Sequence, residues 1–113
     1  MSDIQAHLRY YPAPAQKVRL IVDLVRGKGA NEALEMLRFE TKGPAESVRK
    51  LLFSAVANAE QNFGVSRDDL YVAKISADEA PTRKWRRFGA RGRFKPVLRR
   101  SSHVTVILRE RGS

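Results

Sequence analysis

Nine of the eighteen residues from Arg83 to Arg100, RKWRRFGARGRFKPVLRR, are Arg or Lys, and none is acidic. The bases are Arg83, Lys84, Arg86, Arg87, Arg91, Arg93, Lys95, Arg99 and Arg100. Guanidinium groups are planar, permanently charged and bidentate, which matches them to phosphate. Trp85, Phe88 and Phe94 stand among the charges, where they can stack on unpaired bases or fill crevices in folded RNA. A second reading makes them a cross-strand cluster that stiffens a hairpin. Gly89 and Gly92 allow a turn and a close approach of backbone to a surface. The chemistry on offer is recognition of a polyanion.

Catalysis has little to work with. The chain holds two histidines, His7 and His103, and no cysteine. It has no phosphate-cradling loop and no metal-ligand spacing. Asp78 and Glu79 are adjacent, so on a strand they point to opposite faces and cannot act together as acid and base. Neither enzymatic activity nor a cofactor nor a metal is expected.

The formal net charge of +10 is confined to one end. Residues 1–80 hold eleven basic and eleven acidic residues, whereas residues 81–113 hold eleven basic residues and a single acid, Glu110. A balanced body carrying one basic appendage is a polyanion-binding device on an ordinary fold. With 113 residues, 42% of them hydrophobic, the chain is long enough for one domain with a modest core. The lack of cysteine excludes a disulfide framework and suits a reducing compartment. The opening MSDIQAHLRYYPAP lacks the apolar centre of a signal peptide, and no apolar run reaches the length of a membrane span. A cytoplasmic protein is expected.

The elements that must position the basic segment can be read from periodicity. Residues 4–10 form a short strand, broken by Tyr11-Pro12-Ala13-Pro14, and Pro14 suits the opening of a helix. From Ala15 to Arg26, Val18, Ile21, Val22 and Val25 make one buried helical face. On the opposite face Asp23 is spaced to pair with both Arg19 and Arg26. Gly27-Lys28-Gly29 ends this helix. Asn31 is placed to cap a second helix with Ala33, Leu34 and Leu37 inside. After Lys42-Gly43, Pro44 opens a third helix running to about Asn62, with Val48, Leu52, Ala55 and Ala59 inward and Gly64 as its C-cap. Two strands follow, at 70–77 and 102–109.

The basic segment lies between those two strands, so it is not a loose tail. A structureless loop of about twenty residues within a compact domain is uncommon. The alternative is that both strands continue outward as a hairpin arm from Thr82 to Arg100. Nine residues per side at about 3.3 Å each give a reach of about 30 Å. Such a ribbon repels itself and has no core, so a partner must supply negative charge.

Lys17, Arg19, Arg26 and Lys28 on the first helix form a second candidate patch, with Arg9 nearby in sequence. The plainer reading is that Asp23 neutralises Arg19 and Arg26 on a solvated face.

Four stretches together carry a resemblance to a known family: AQKVRLIVDLVRGK (15–28), SAVANAEQN (54–62), LYVAKISADEAP (70–81) and GARGRFKPVLRRSSHVTVIL (89–108). In order and nearly throughout, the chain resembles the bacterial large-subunit ribosomal protein twenty-two. The resemblance implies an α+β fold of three helices on a small three-stranded antiparallel sheet, with a long protruding β-hairpin. It implies a single rRNA-binding domain over 1–113, with a globular body at 1–81 and 101–113 and an arm at 82–100.

It further implies contacts with several domains of large-subunit rRNA, support of assembly, neighbouring ribosomal proteins as partners, and a hairpin lining the nascent-peptide exit tunnel. The patch on the first helix becomes rRNA-contacting on this basis, as does His103, which the family motif includes. By position, the tunnel constriction falls on Arg83, Lys84 and Trp85 and on Ala90 to Phe94, with Phe88, Gly89, Ala90, Arg91, Gly92, Arg93 and Phe94 forming the tip. Where the family usually carries a proline and a basic residue, this chain has Phe88 and Gly89. Where it carries a small and then a polar residue, this chain has Phe94 and Lys95. The tip is bulkier and more basic than the family pattern.

Two rivals stay in view. A DNA-bending protein with basic β-arms would dimerise and bind generic duplex, whereas the ribosomal reading expects neither a homo-oligomer nor a membrane. A protein-interaction module would use the arm to grip an acidic partner.

Overall fold

In a computed structural model, residues 3–40, 43–81, 83–88 and 94–111 are described, with 83–88 and 94–99 described by backbone course alone. The break at Lys42, the arm's first residue Thr82 and the tip residues Gly89, Ala90, Arg91, Gly92 and Arg93 lie outside the described residues. The order is β1 (Ile4–Tyr11), α1 (Ala15–Val25), α2 (Ala30–Phe39), α3 (Pro44–Phe63), a 3₁₀ turn (Arg67–Asp69), β2 (Leu70–Glu79), β3 (Arg83–Phe88), β4 (Phe94–Arg99) and β5 (Ser102–Glu110). This is the expected α+β architecture of three helices on a three-stranded antiparallel sheet.

The strand order is β1-β5-β2, so β5 is the centre and runs antiparallel to both neighbours. Its alternation explains why. Ser102, Val104, Val106 and Leu108 are buried while His103, Thr105 and Ile107 are partly exposed, which leaves one face on the helices and one facing solvent. The helices deliver Val18, Ile21, Val22 and Val25 from α1, Leu37 from α2, and Val48, Leu52, Val56 and Ala59 from α3. The small residues Ala55 and Ala59 are fully buried, so α3 sits close against its neighbours.

β2 does not alternate cleanly. Leu70 and Val72 face the core, and so do Ile75 and Ala77, which a strict period of two cannot achieve. The register resolves this. Val72 pairs with Leu108 and Lys74 with Ile107, so Ala73 is an extra residue that reverses the parity.

Three local expectations need correction. Gly29, not Asn31, is the N-cap of α2; the N–H of Ala33 donates to the Gly29 carbonyl at 2.8 Å. Gly29 is bridged to Tyr71 of β2, which fixes the helix start one residue before Asn31. Asn31 instead donates from Nδ2 to Asp68 Oδ1 at 2.6 Å. Pro14 is the N-cap of α1 rather than its first helical residue, with extended backbone at ψ 143. Asp23 pairs with Arg26, while Arg19 reaches across to β2. By contrast Pro44 does open α3, and Gly64 caps it at φ +65, the left-handed region where glycine carries no penalty.

Candidate nucleic-acid interface

Basic residues gather at three places around the sheet. The first is the ribbon. β2 and β5 pair as far as Glu79 with Ser102, and the Ala80 N–H then donates to the Ser101 carbonyl at 2.9 Å. Beyond this, β3 and β4 form their own antiparallel sheet, running from Arg83 opposite Arg99 to Phe88 opposite Phe94. The sequence between β2 and β5 is therefore strand on both sides. The register sets Trp85 opposite Val97 and Arg87 opposite Lys95, so the basic positions recur along the whole ribbon. Lys84, Arg86 and Arg99 occupy further rungs of the same ladder.

The root of the ribbon is pinned to the body. Ser102 is fully buried, and its Oγ donates to the Ala13 carbonyl at 3.1 Å. A burial of that kind is tolerated because the hydroxyl is hydrogen-bonded. Beside it Arg100 is exposed and lines a cleft of about 160 Å³ with Pro14, Ala15, Glu79, Ala80 and Ser101.

The second place is α1 against the open edge of β2. An edge strand exposes unpaired carbonyls and N–H groups. Here the Gly27 N–H donates to the Val72 carbonyl at 3.0 Å, and the Val72 N–H donates to the Lys28 carbonyl at 2.8 Å. Further along, Arg26 Nη2 donates to the Ile75 carbonyl and Arg19 Nε to the Ala77 carbonyl, each at 2.9 Å. The two arginines assigned to RNA thus seal the strand edge. A guanidinium has five N–H donors, so each keeps others in reserve. Lys17 and Lys28 are exposed on the same helix and its exit.

The third place is the solvent-facing side of the sheet. His7 and Arg9 alternate with the inward Ala6 and Leu8. A bulge between Leu8 and Tyr11 puts Tyr10 at φ +54. The Tyr10 N–H donates to His103 Nδ1 at 3.1 Å, and the two rings meet edge to face with centroids 4.6 Å apart. His7 Nδ1 and Thr105 Oγ1 are hydrogen-bonded at 3.1 Å. Asp78 sits opposite His103 in the β2–β5 register. Together these residues line a recess of about 330 Å³.

Arg9 and His103, far apart in sequence, are brought together here. His7, Tyr10, Thr105 and Asp78 are additions that the sequence reading did not assign to a site. The alternation of His7 and Arg9 signals a shared outer face, but nothing local announces the bulge at Tyr10.

Several other cations are already occupied. Arg109 donates from Nε to Asp3 Oδ1 at 2.8 Å, Arg67 from Nη2 to Glu60 at 2.7 Å, and Arg49 from Nη2 to Glu46 at 2.7 Å. The hydrogen bond from Arg109 holds the Asp3 carboxyl below the usual carboxylate range, and Arg49 does the same to Glu46. Among the described residues no helix is long and apolar enough to cross a membrane, and no cluster of His, Cys, Asp or Glu could hold a metal ion.

With the geometry on the page, a comparison with known families can be placed beside it. The family described as ribosomal protein L22p/L17e matches residues 6–109, from the first strand through the ribbon to the end of the central strand.

Proposed function

We propose a specific role for this chain, which belongs to the ribosomal protein L22p/L17e family and is thus a structural component of the large ribosomal subunit. The family is one of structural ribosomal proteins, not of enzymes. The chain binds large-subunit rRNA, supports assembly of that subunit, and lines the nascent-peptide exit tunnel with the tip of its arm.

One observation carries this: the whole excess of +10 lies in residues 81–113, the part of the chain that holds the β3–β4 ribbon and its root. The chain forms a single domain, with a body at 1–81 and 101–113 and an arm at 82–100. Its principal extents of 66 × 26 × 18 Å suit an element that reaches well beyond a body. Arg83, Lys84, Arg86, Arg87, Arg91, Arg93, Lys95, Arg99 and Arg100 neutralise phosphates along the arm, and Trp85 stacks on unpaired bases. Gly92 brings backbone close to RNA. Phe88 to Phe94 face the tunnel and the nascent peptide.

The body adds Lys17, Arg19, Arg26 and Lys28 on one side and Arg9 and His103 on the other. Neighbouring ribosomal proteins complete its surroundings.

Crosslinking of the tagged protein in growing cells, followed by sequencing of the attached RNA, tests the reading. Crosslinks from Arg83 to Lys95 into large-subunit rRNA beside the exit tunnel are expected. Crosslinks scattered over unrelated transcripts would overturn it. In solution, affinity for rRNA should fall steeply with salt, each neutralised phosphate adding about 0.7–0.9 to the log–log slope. Retention of the native complex after RNase treatment would instead favour an acidic protein partner, and dimeric binding to random duplex would favour DNA bending.

A further inference from the structure

We propose that the recess on the solvent-facing side of the sheet is a site for one unpaired nucleotide of the bound RNA, with Tyr10 as its stacking platform and Arg9 as its phosphate contact. The inference rests on the RNA-binding reading and gives it a second, separate point of attachment, remote in sequence from the basic arm.

The starting observation is strain. Tyr10 holds φ +54, a conformation that disfavours residues with a Cβ by about 1–2 kcal/mol. Backbone strain of this kind clusters at ligand sites. Nothing about core packing requires it, because the Tyr10 residue is half exposed, at 50%. What the conformation achieves is placement. It turns the Tyr10 N–H onto His103 Nδ1 at 3.1 Å and sets the Tyr10 ring edge to face with the imidazole, with centroids 4.6 Å apart and planes at 86°.

The hydrogen bond also fixes the histidine's chemistry. With Nδ1 accepting, the proton of the neutral ring is on Nε2, which becomes a donor for a ligand oxygen. His7 is held in turn by Thr105 at 3.1 Å, so both imidazoles are oriented before any ligand arrives. Asp78 lies in register opposite His103 and is an acceptor only. It would repel a phosphate placed beside it and would receive an amino group of a base or a 2′-hydroxyl.

Charge therefore orients the occupant. Its phosphate lies toward Arg9, its base lies against Tyr10, and its donor groups lie toward Asp78. The recess volume of about 330 Å³ falls at the lower end of small-ligand pockets, about 300–1,000 Å³. That size suits one nucleotide rather than a duplex.

The strain makes the test sharp. Tyr10→Gly removes the ring while relieving the positive φ, so this variant folds at least as well as the parent. Binding of the full chain to large-subunit rRNA and to oligoadenylate is measured across a salt series, with a thermal melt of each variant. Tyr10→Gly should weaken binding about five- to tenfold, the size of one lost stacking contact, with an unchanged salt slope and an undiminished melting temperature. Arg9→Gln should lower the slope by about 0.7–0.9. Ultraviolet crosslinking should attach RNA to the peptide containing Tyr10.

If arm variants such as Arg86→Gln weaken binding while Tyr10→Gly and Arg9→Gln stay within about twofold of the parent, the recess is not a nucleotide site and the RNA reading survives. If the parent chain binds no RNA, both fall together.

Discussion

Arg26 on the first helix and Ile75 on the second strand, forty-nine residues apart, are joined by a guanidinium N–H donating to a carbonyl oxygen at 2.9 Å. Arg19 makes the same kind of bond to Ala77 at 2.9 Å. Two side chains from one helix thereby close the edge of β2, with Gly27 and Lys28 closing the stretch around Val72. A protein that leaves a strand edge open invites pairing with another chain.

Removing either guanidinium should therefore be felt as stability and as self-association. Arg26→Ala is expected to lose about 1 kcal/mol, the lower part of the range for a charge-assisted hydrogen bond, since its side chain is half exposed. Arg19→Ala should behave alike, and the double variant should aggregate sooner on heating. Denaturant melts and light scattering check this. A double variant as stable and as monomeric as the parent would show that the edge needs no cover.

Acid should weaken the body through its exposed ion pairs. Hydrogen bonds from Arg109 and Arg49 depress the Asp3 and Glu46 pKa values in the folded state. The unfolded chain then binds protons more readily, so the contribution is complete above the unfolded carboxylate range and is lost as pH falls through the folded value. Both acids are exposed, so the effect is modest and shrinks with salt. The Asp3→Asn, Glu46→Gln double variant should show a shallower fall in Tm with acidification than the parent at low salt. Parallel curves would refute the assignment.

Gly64 closes α3 at φ +65 with open space where a Cβ would stand. Gly64→Ala should cost about 1 kcal/mol from conformation alone. Gly64→Asn should cost less, because asparagine tolerates the left-handed region. Equal Tm values for alanine and glycine at this position would rule out the strain argument.

The ribbon and the central strand should differ in hydrogen exchange. Backbone groups of β5 are paired on both sides, with β1 and with β2, while β3 and β4 have only each other. An isolated two-stranded ribbon is marginal in water. Amides of β3 and β4 should exchange in the free chain far faster than those of Val104 to Leu108, and should slow when RNA is added. Protection in the free ribbon equal to that of β5 would show that it is stable by itself.

Much of the body is legible from residue spacing because burial enforces it. Val18, Ile21, Val22 and Val25 face one way on a helix, and Val104, Val106 and Leu108 on a strand, and the structure buries all of them. Where the sequence reading fell short, the deciding partner was remote. The spacing of Arg19, Asp23 and Arg26 satisfies a local ion-pair rule, yet both arginines reach carbonyls of β2. Asn31 resembles a cap by type, but the bridge between Gly29 and Tyr71 sets the helix start. The bulge at Ala73 becomes visible only once β5 supplies the register. The recess escaped for the same reason, since Tyr10 and His103 meet across ninety-three residues. The charge of the arm, by contrast, is pure composition and needed no partner to be seen.

The position of β5 in the chain has a consequence for the order of events during synthesis. It is the strand that β1 and β2 both require, and Ile4 pairs with Leu108, yet it is translated after every other strand and helix of the fold. Until it emerges, β1 and β2 have no strand between them, and the helices have no complete sheet to cover. The arm is made first. The most cationic stretch of the chain is thus out in a milieu crowded with nucleic acid while the body that will aim it is still unfolded. Closure of the body by β5 is then the step that fixes the arm's direction, and an RNA that captures the arm early would be holding one end of a protein not yet complete.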